Sequence, residues 1–116
     1  MTSTSKAYVD FVMDLLAPIG GLSSGRFFGG SGIRKDGELF AMVMGDNLYF
    51  LVDDKLREKY KSMGSSSFSY MTKKGRVEVT KYYAVPADYL EEDGELVKLA
   101  RESINIARKA AAKKIK

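Results

Sequence analysis

Residues 26–37 hold Gly29, Gly30 and Gly32 ahead of Arg34 and Lys35, the residue types of a loop that cradles a phosphate. In such loops backbone N–H groups converge on the anion and a lysine adds a point charge. The spacing tests that reading. A Walker A loop needs a glycine, four residues, then Gly-Lys-Ser/Thr. Counted from Gly29, Lys35 fits, but Arg34 occupies the second glycine's place and Asp36 the hydroxyl's. A dinucleotide fingerprint counted from Gly30 finds Gly32 but meets Lys35 where its third glycine belongs. Both motifs also need a helix immediately afterwards, so that its N-terminus faces the phosphate. Here Asp36-Gly37 follows, flanked by strand-forming residues, which is the strongest short hairpin signal. The stretch therefore reads as strands around a turn, its glycines marking a bulge or a tight connection.

Other chemistry is equally sparse. The chain has no cysteine and no histidine. That removes disulfides, thiolate and imidazole metal ligands, cysteine nucleophiles and every histidine-based triad. Ser65, Ser66 and Ser67 precede Lys73 and Lys74, a combination that resembles a serine–lysine dyad. A polar loop followed by a basic turn explains both without catalysis. No enzymatic activity, cofactor or metal is expected.

Binding residues are easier to nominate. Arg26 beside Phe27 and Phe28 could meet an acidic partner, or cover a sheet edge with its aliphatic stem. Tyr82-Tyr83 could stack on bases, but adjacent strand residues point to opposite faces, so only one can join any platform. The charge is uneven. From Leu96 onward seven basic residues face a single acid, Glu102, so this segment carries +6 of a net +4 and the rest −2. Arg101, Arg108, Lys109, Lys113 and Lys114 could neutralise phosphates without reading sequence. Cations at a helix C-terminus also stabilise the helix itself. With no recognition-helix pattern or interleaved aromatics, nucleic-acid binding ranks below protein binding and should be weak.

The elements that must position these residues follow from periodicity. A chain of 116 residues is one domain's worth, 1–116. No apolar run approaches the roughly 18 residues of a membrane helix, and the N-terminus lacks the order of a secretory signal. A cytoplasmic location without membrane contact is expected. Thr4 or Ser5 can cap a first helix through about Leu16, ended by Pro18 and Gly20-Gly21. Residues 24–52 change to short apolar runs bounded by turns, including Gly45-Asp46-Asn47. Asp53 is placed to cap a short helix presenting Leu56, Tyr60 and Met63, closed by Gly64. Phe68–Met71 and Val77–Val85 form a hairpin. Pro86 suits the first turn of a helix, and Gly94 interrupts before a long final one with Leu96, Ala100, Ile104, Ala107 and Ala111 on one face. The expected fold is α+β, a two-layer sandwich in the order helix, three strands, helix, two strands, helix. Its sheet is antiparallel, with the helices on one face.

Counting faces adds one expectation. A sheet covered on one side alternates apolar and polar residues. Here Leu48, Phe50 and Val52 point one way while Tyr49 and Leu51 point the other, and Phe40, Met42 and Met44 lie opposite Leu39, Ala41 and Val43. One set forms an apolar patch unless something covers it, and a two-fold axis covers it most simply. A homodimer through one of the two sets is expected, with Tyr49 and Leu51 as candidate partner-binding residues on one of them.

The run Arg26–Ile33, then Asp36–Ala41, resembles the signature of the TfoX (Sxy) N-terminal domain. The likeness continues through Leu48–Asp54, Gly64-Ser65, Phe68–Tyr70 and Tyr82–Pro86 into the alanine-rich last helix. The chain departs from the family's pattern at Ser67, where a proline is frequent, and at Leu99, where a tryptophan is frequent. The resemblance implies a two-layer α/β fold that dimerises. It also implies regulation of natural competence by protein contact, with the cyclic-AMP receptor protein and the transcription machinery at promoters. Full-length relatives carry a second domain, so the expectation here is a stand-alone N-terminal-type domain.

Overall fold

The computed structural model describes residues 6–27 and 29–115. Helix α1 (Lys6–Leu16) and a 3-10 turn (Ala17–Ile19) lead into strands β1 (Leu22–Phe27), β2 (Gly30–Lys35), β3 (Glu38–Met44) and β4 (Asn47–Leu51). Helix α2 (Asp54–Ser62) follows, then strands β5 (Ser67–Thr72) and β6 (Gly75–Ala84), a 3-10 turn (Ala87–Glu91) and helix α3 (Asp93–Ile115). The proposed caps Thr4 and Ser5 lie outside the described residues. The fold is α+β, with all strands antiparallel in one sheet ordered β1-β2-β3-β4-β6-β5.

Two turns obey local chemistry directly. Asp36-Gly37, with φ of 52° and 86°, joins β2 to β3, and Gly45-Asp46, with φ of 56° and 61°, joins β3 to β4. Two consecutive left-handed residues make a type I′ turn, whose twist matches the flanking strands. The sheet has one strand more than residues 24–52 were expected to supply. Gly32 reads as marking a bulge or a tight connection, yet it lies within β2, facing Gly25 of β1. Gly32 is a place of close approach: a Cβ there would lie 2.7 Å from Leu39 Cδ1 and 3.3 Å from Phe27 Cβ. Gly94 likewise does not interrupt the last helix. It sits in the first turn of α3, where Leu96 N–H already donates to Glu92 O (3.0 Å).

Helix α2 begins as its residues dictate. The Asp53 carboxylate accepts from Leu56 N–H at 2.8 Å, and Gly64, φ 83°, ends the turn after it. Asp53→Ala should lower stability by about 1 kcal/mol through loss of this cap. Urea denaturation would check it; an unchanged midpoint would be inconsistent with a cap of any consequence.

The helices pack on one face of the sheet, and the core lies between. Val12 and Leu16 of α1, Leu56 and Tyr60 of α2, and Leu96, Leu99, Ala100, Ile104 and Ala107 of α3 meet Ile33, Phe40, Ala41, Val43, Leu48, Phe50 and Tyr83. Leu99 is a packing residue within this core. Phe40 and Ala41 are neighbours in sequence, so strict alternation cannot bury both on one face. A β-bulge resolves the conflict. Ile33 pairs with Ala41 and Arg34 with Leu39, which leaves Phe40 as the extra residue of β3. Ser103, fully buried, stitches the layers together by donating to Leu51 O at 2.7 Å.

A larger irregularity bends the β5–β6 hairpin. Ser67 pairs with Tyr83 but Phe68 with Val79, so Thr80, Lys81 and Tyr82 have no partners on β5. Their backbone is satisfied from elsewhere. Arg57 Nε donates to Thr80 O (2.9 Å), and Val52 N–H donates to Lys81 O (2.7 Å). The bend carries the hairpin toward the sheet face that the helices leave open.

Candidate binding surface

The glycine-rich stretch holds no phosphate-loop geometry. Gly30–Lys35 is a strand, and a turn rather than a helix follows it. Lys35 Nζ donates to Gly20 O at 2.8 Å and lies 3.8 Å from Asp36 Oδ2, so its charge serves the loop after α1. Ser65 stands at the base of the hairpin and Lys73 and Lys74 at its tip, which rules out a dyad between them. Among the described residues, no group of three or more Asp or Glu is placed to hold a metal ion.

The open face of the sheet is where side chains converge. Register places Met42 opposite Tyr49, Tyr49 opposite Ala84, and Leu51 opposite Tyr82 on that face. Met42 is 2% exposed yet belongs to no part of the helix-side core. The hairpin reaches over this face. Phe68 stands edge-on to Tyr49 with ring centroids 5.2 Å apart, and Tyr70 lies 6.0 Å beyond Phe68. Between the bent hairpin and the sheet runs a groove of about 500 Å³. Phe27, Met42 and Met44 line one side and Phe68, Tyr70, Val79 and Tyr82 the other. Partial burial raises the pKa of Tyr49 and of Tyr82, and the nearby Arg34 guanidinium partly offsets the rise at Tyr82. Both phenols stay neutral at physiological pH, so the groove presents rings, methionines and hydroxyls rather than charge.

The nominated residues fall in three places. Tyr49 and Leu51 are on the open face, each half-buried, with Tyr49 under the hairpin's Phe68. Arg26 is exposed on edge strand β1, paired through its backbone with Ser31. Phe28 lies outside the described residues. Tyr82 and Tyr83 point to opposite faces, Tyr83 buried and Tyr82 in the groove.

The basic residues are on α3, away from the groove. Arg101, Arg108 and Lys109 are exposed, and Arg101 and Arg108, seven apart, share one stripe of the helix. Their surroundings are mixed in sign: Lys59 of α2 pairs with Glu102 at 3.3 Å, and Lys98 with Glu95 at 3.1 Å. Lys113 and Lys114 belong to the last turn of α3, and their side chains lie outside the described residues.

Sequence reasoning placed the β5–β6 hairpin but missed its exposed apolar side chains as part of the surface. Four large apolar side chains are exposed among the described residues, and three of them, Tyr70, Met71 and Val77, sit there. A signal existed: β5 reads Ser-Phe-Ser-Tyr-Met-Thr, with apolar residues and no charge. What the letters do not carry is the three-residue slip that bends the hairpin over the sheet.

A six-stranded antiparallel sheet, with helices on one face and an apolar groove on the other, defines a small α+β domain. The model of the TfoX N-terminal domain matches residues 14–107, and the chain belongs to that family. Among curated proteins, none matches it significantly.

Proposed function

We propose that this domain works by binding protein, as a small regulatory or adaptor module of the TfoX type. The apolar groove beside the exposed hairpin side chains is the observation that carries this reading. Its volume of about 500 Å³ falls in the range of pockets that accept a side-chain cluster or a small ligand. Two of its walls are methionines, whose unbranched, polarizable chains adapt to varied partners. The reading places the domain in the cytoplasm, without catalysis or cofactor, as a homodimer that meets components of the transcription machinery in competence regulation. No helix among the described residues is long and apolar enough to cross a membrane.

Affinity capture from the native cytoplasm tests this. The wild-type chain and Met44→Glu, which puts a charge into the groove, would be compared by mass spectrometry. RNA polymerase or receptor-protein subunits retained by the wild type and lost from the variant are the expected result. Recovery of the same proteins by both chains would overturn the groove as the binding surface. Abundant nucleic acid without a protein partner would favour the second reading, in which Arg101 and Arg108 on one stripe of α3, with Lys109, hold phosphates.

A further inference from the structure

Strand β5 stands at the edge of the sheet, and apart from the register slip that bends its hairpin its own residues do little to protect that edge. Folded proteins blunt such strands with charges, prolines, bulges or a covering element. Ser67–Thr72 contains no charged residue and no proline, and Tyr70 and Met71 on it are 48% and 74% exposed. Edge strand β1, by comparison, carries an exposed arginine, Arg26. An unpaired row of N–H and C=O groups along β5 is a template for one more strand.

The residues of β5 identify that strand. We propose that β5 pairs antiparallel with β5 of a second copy across a two-fold axis at Ser69, joining two six-stranded sheets into one. This rests on the self-association proposed above and assigns it an interface. In an isologous pair, residues equidistant from the axis face each other. With Ser69 on the axis, Phe68 meets the second copy's Tyr70, Ser67 meets Met71, and Ser66 meets Thr72. Aromatic therefore faces aromatic, the kind of cross-strand pair that stabilises antiparallel strands. The charges also agree. Lys73 and Lys74 form the turn after β5, and the same register sets them opposite Ser65 and Gly64 of the other copy, with the two basic turns at opposite ends. Any register in which like charges faced each other would be penalised. Strand β5 can thus pair with itself with aromatic against aromatic and no like charges opposed. Pairing also removes Tyr70 and Met71, on opposite faces of the strand, from water.

The chain's lack of cysteine makes the test direct. Residues opposite each other on antiparallel strands have Cβ atoms about 4.5–5.5 Å apart, near the reach of a disulfide. Mild oxidation of Ser69→Cys should convert most of the chain to a covalent dimer on a non-reducing gel. Thr80→Cys, exposed in the bulge of β6, should remain monomeric there. Light scattering coupled to size exclusion at micromolar concentration should give a dimer mass for the wild type. Ser69→Lys and Ser69→Asp, each facing its own image, should both run as monomers, and their equimolar mixture should recover the dimer. A wild type that dimerises while both charged variants also dimerise would overturn the β5 interface and leave self-association standing, through the open face at Tyr49 and Leu51. A monomeric wild type would overturn both and leave the edge to a strand from another protein.

Discussion

Phe40→Ala is expected to lower the free energy of unfolding by about 3–5 kcal/mol, the cost of deleting a fully buried phenylalanine ring. Phe40 is 0% exposed, and its ring centroid lies 6.1 Å from that of Phe50 in the layer between sheet and helices. The ring belongs to the packed core shared by Ile33, Phe50 and the helices, so its removal leaves a void in that core. Small domains are stable by only about 5–15 kcal/mol in total, so the variant should be partly unfolded at modest temperature. Urea denaturation followed by circular dichroism would measure it. A loss below about 1 kcal/mol would mean that Phe40 is not the core residue its position implies.

The second large effect appears only at high pH and belongs to Tyr60. Its side chain is fully buried between α2, β6 and α3, with the Tyr83 ring at 6.4 Å. Among the described residues its hydroxyl makes no hydrogen bond of good geometry, although Ser103 lies beside it. Burial first, then the charge of Glu102 and the neighbouring Tyr89, push its pKa far above the ordinary tyrosine value of 10.0. The sign follows from proton binding. Above pH 10 the unfolded chain releases the Tyr60 proton and the folded chain keeps it, so stability falls as pH rises. One such group contributes a slope of about 1.4 kcal/mol per pH unit until the folded pKa is reached. Tyr8, Tyr49 and Tyr82 are raised as well, so the wild type should lose stability steeply in alkali. Tyr60→Phe should remove one group's share of that slope. Near pH 7 the same change should be neutral or slightly stabilising, because it deletes a buried hydroxyl without a partner. Denaturation of both chains from pH 7 to 11.5 would show the difference opening above pH 10. Parallel curves across that range would show that Tyr60 ionises freely in the folded state.

The family resemblance rested on the same residues that position the open face. Arg26–Ile33 forms most of the β1–β2 hairpin, Asp36–Ala41 the turn and bulge of β3, and Phe68–Tyr70 the wall of the groove. In this chain these stretches build the sheet, and none of them forms a phosphate loop.

What the residues determined on their own was local. Asp36-Gly37 and Gly45-Asp46 took the turns their left-handed preference dictates, Asp53 capped its helix, and a chain without histidine or cysteine has no imidazole or thiol chemistry. Helix faces were equally legible, since Leu96, Ala100, Ile104 and Ala107 repeat with the helical period and are buried together. What only the tertiary structure decided was non-local. A strand's letters do not say which neighbour it takes, so the fourth strand before α2, the bulge that turns Phe40 inward and the edge position of β5 emerged only from pairing. Met42 shows the reason most directly: its alternation with Ala41 put it on the open face, but the groove it lines there is shared with Phe68 and Tyr70, more than twenty residues away on a hairpin with a slipped register.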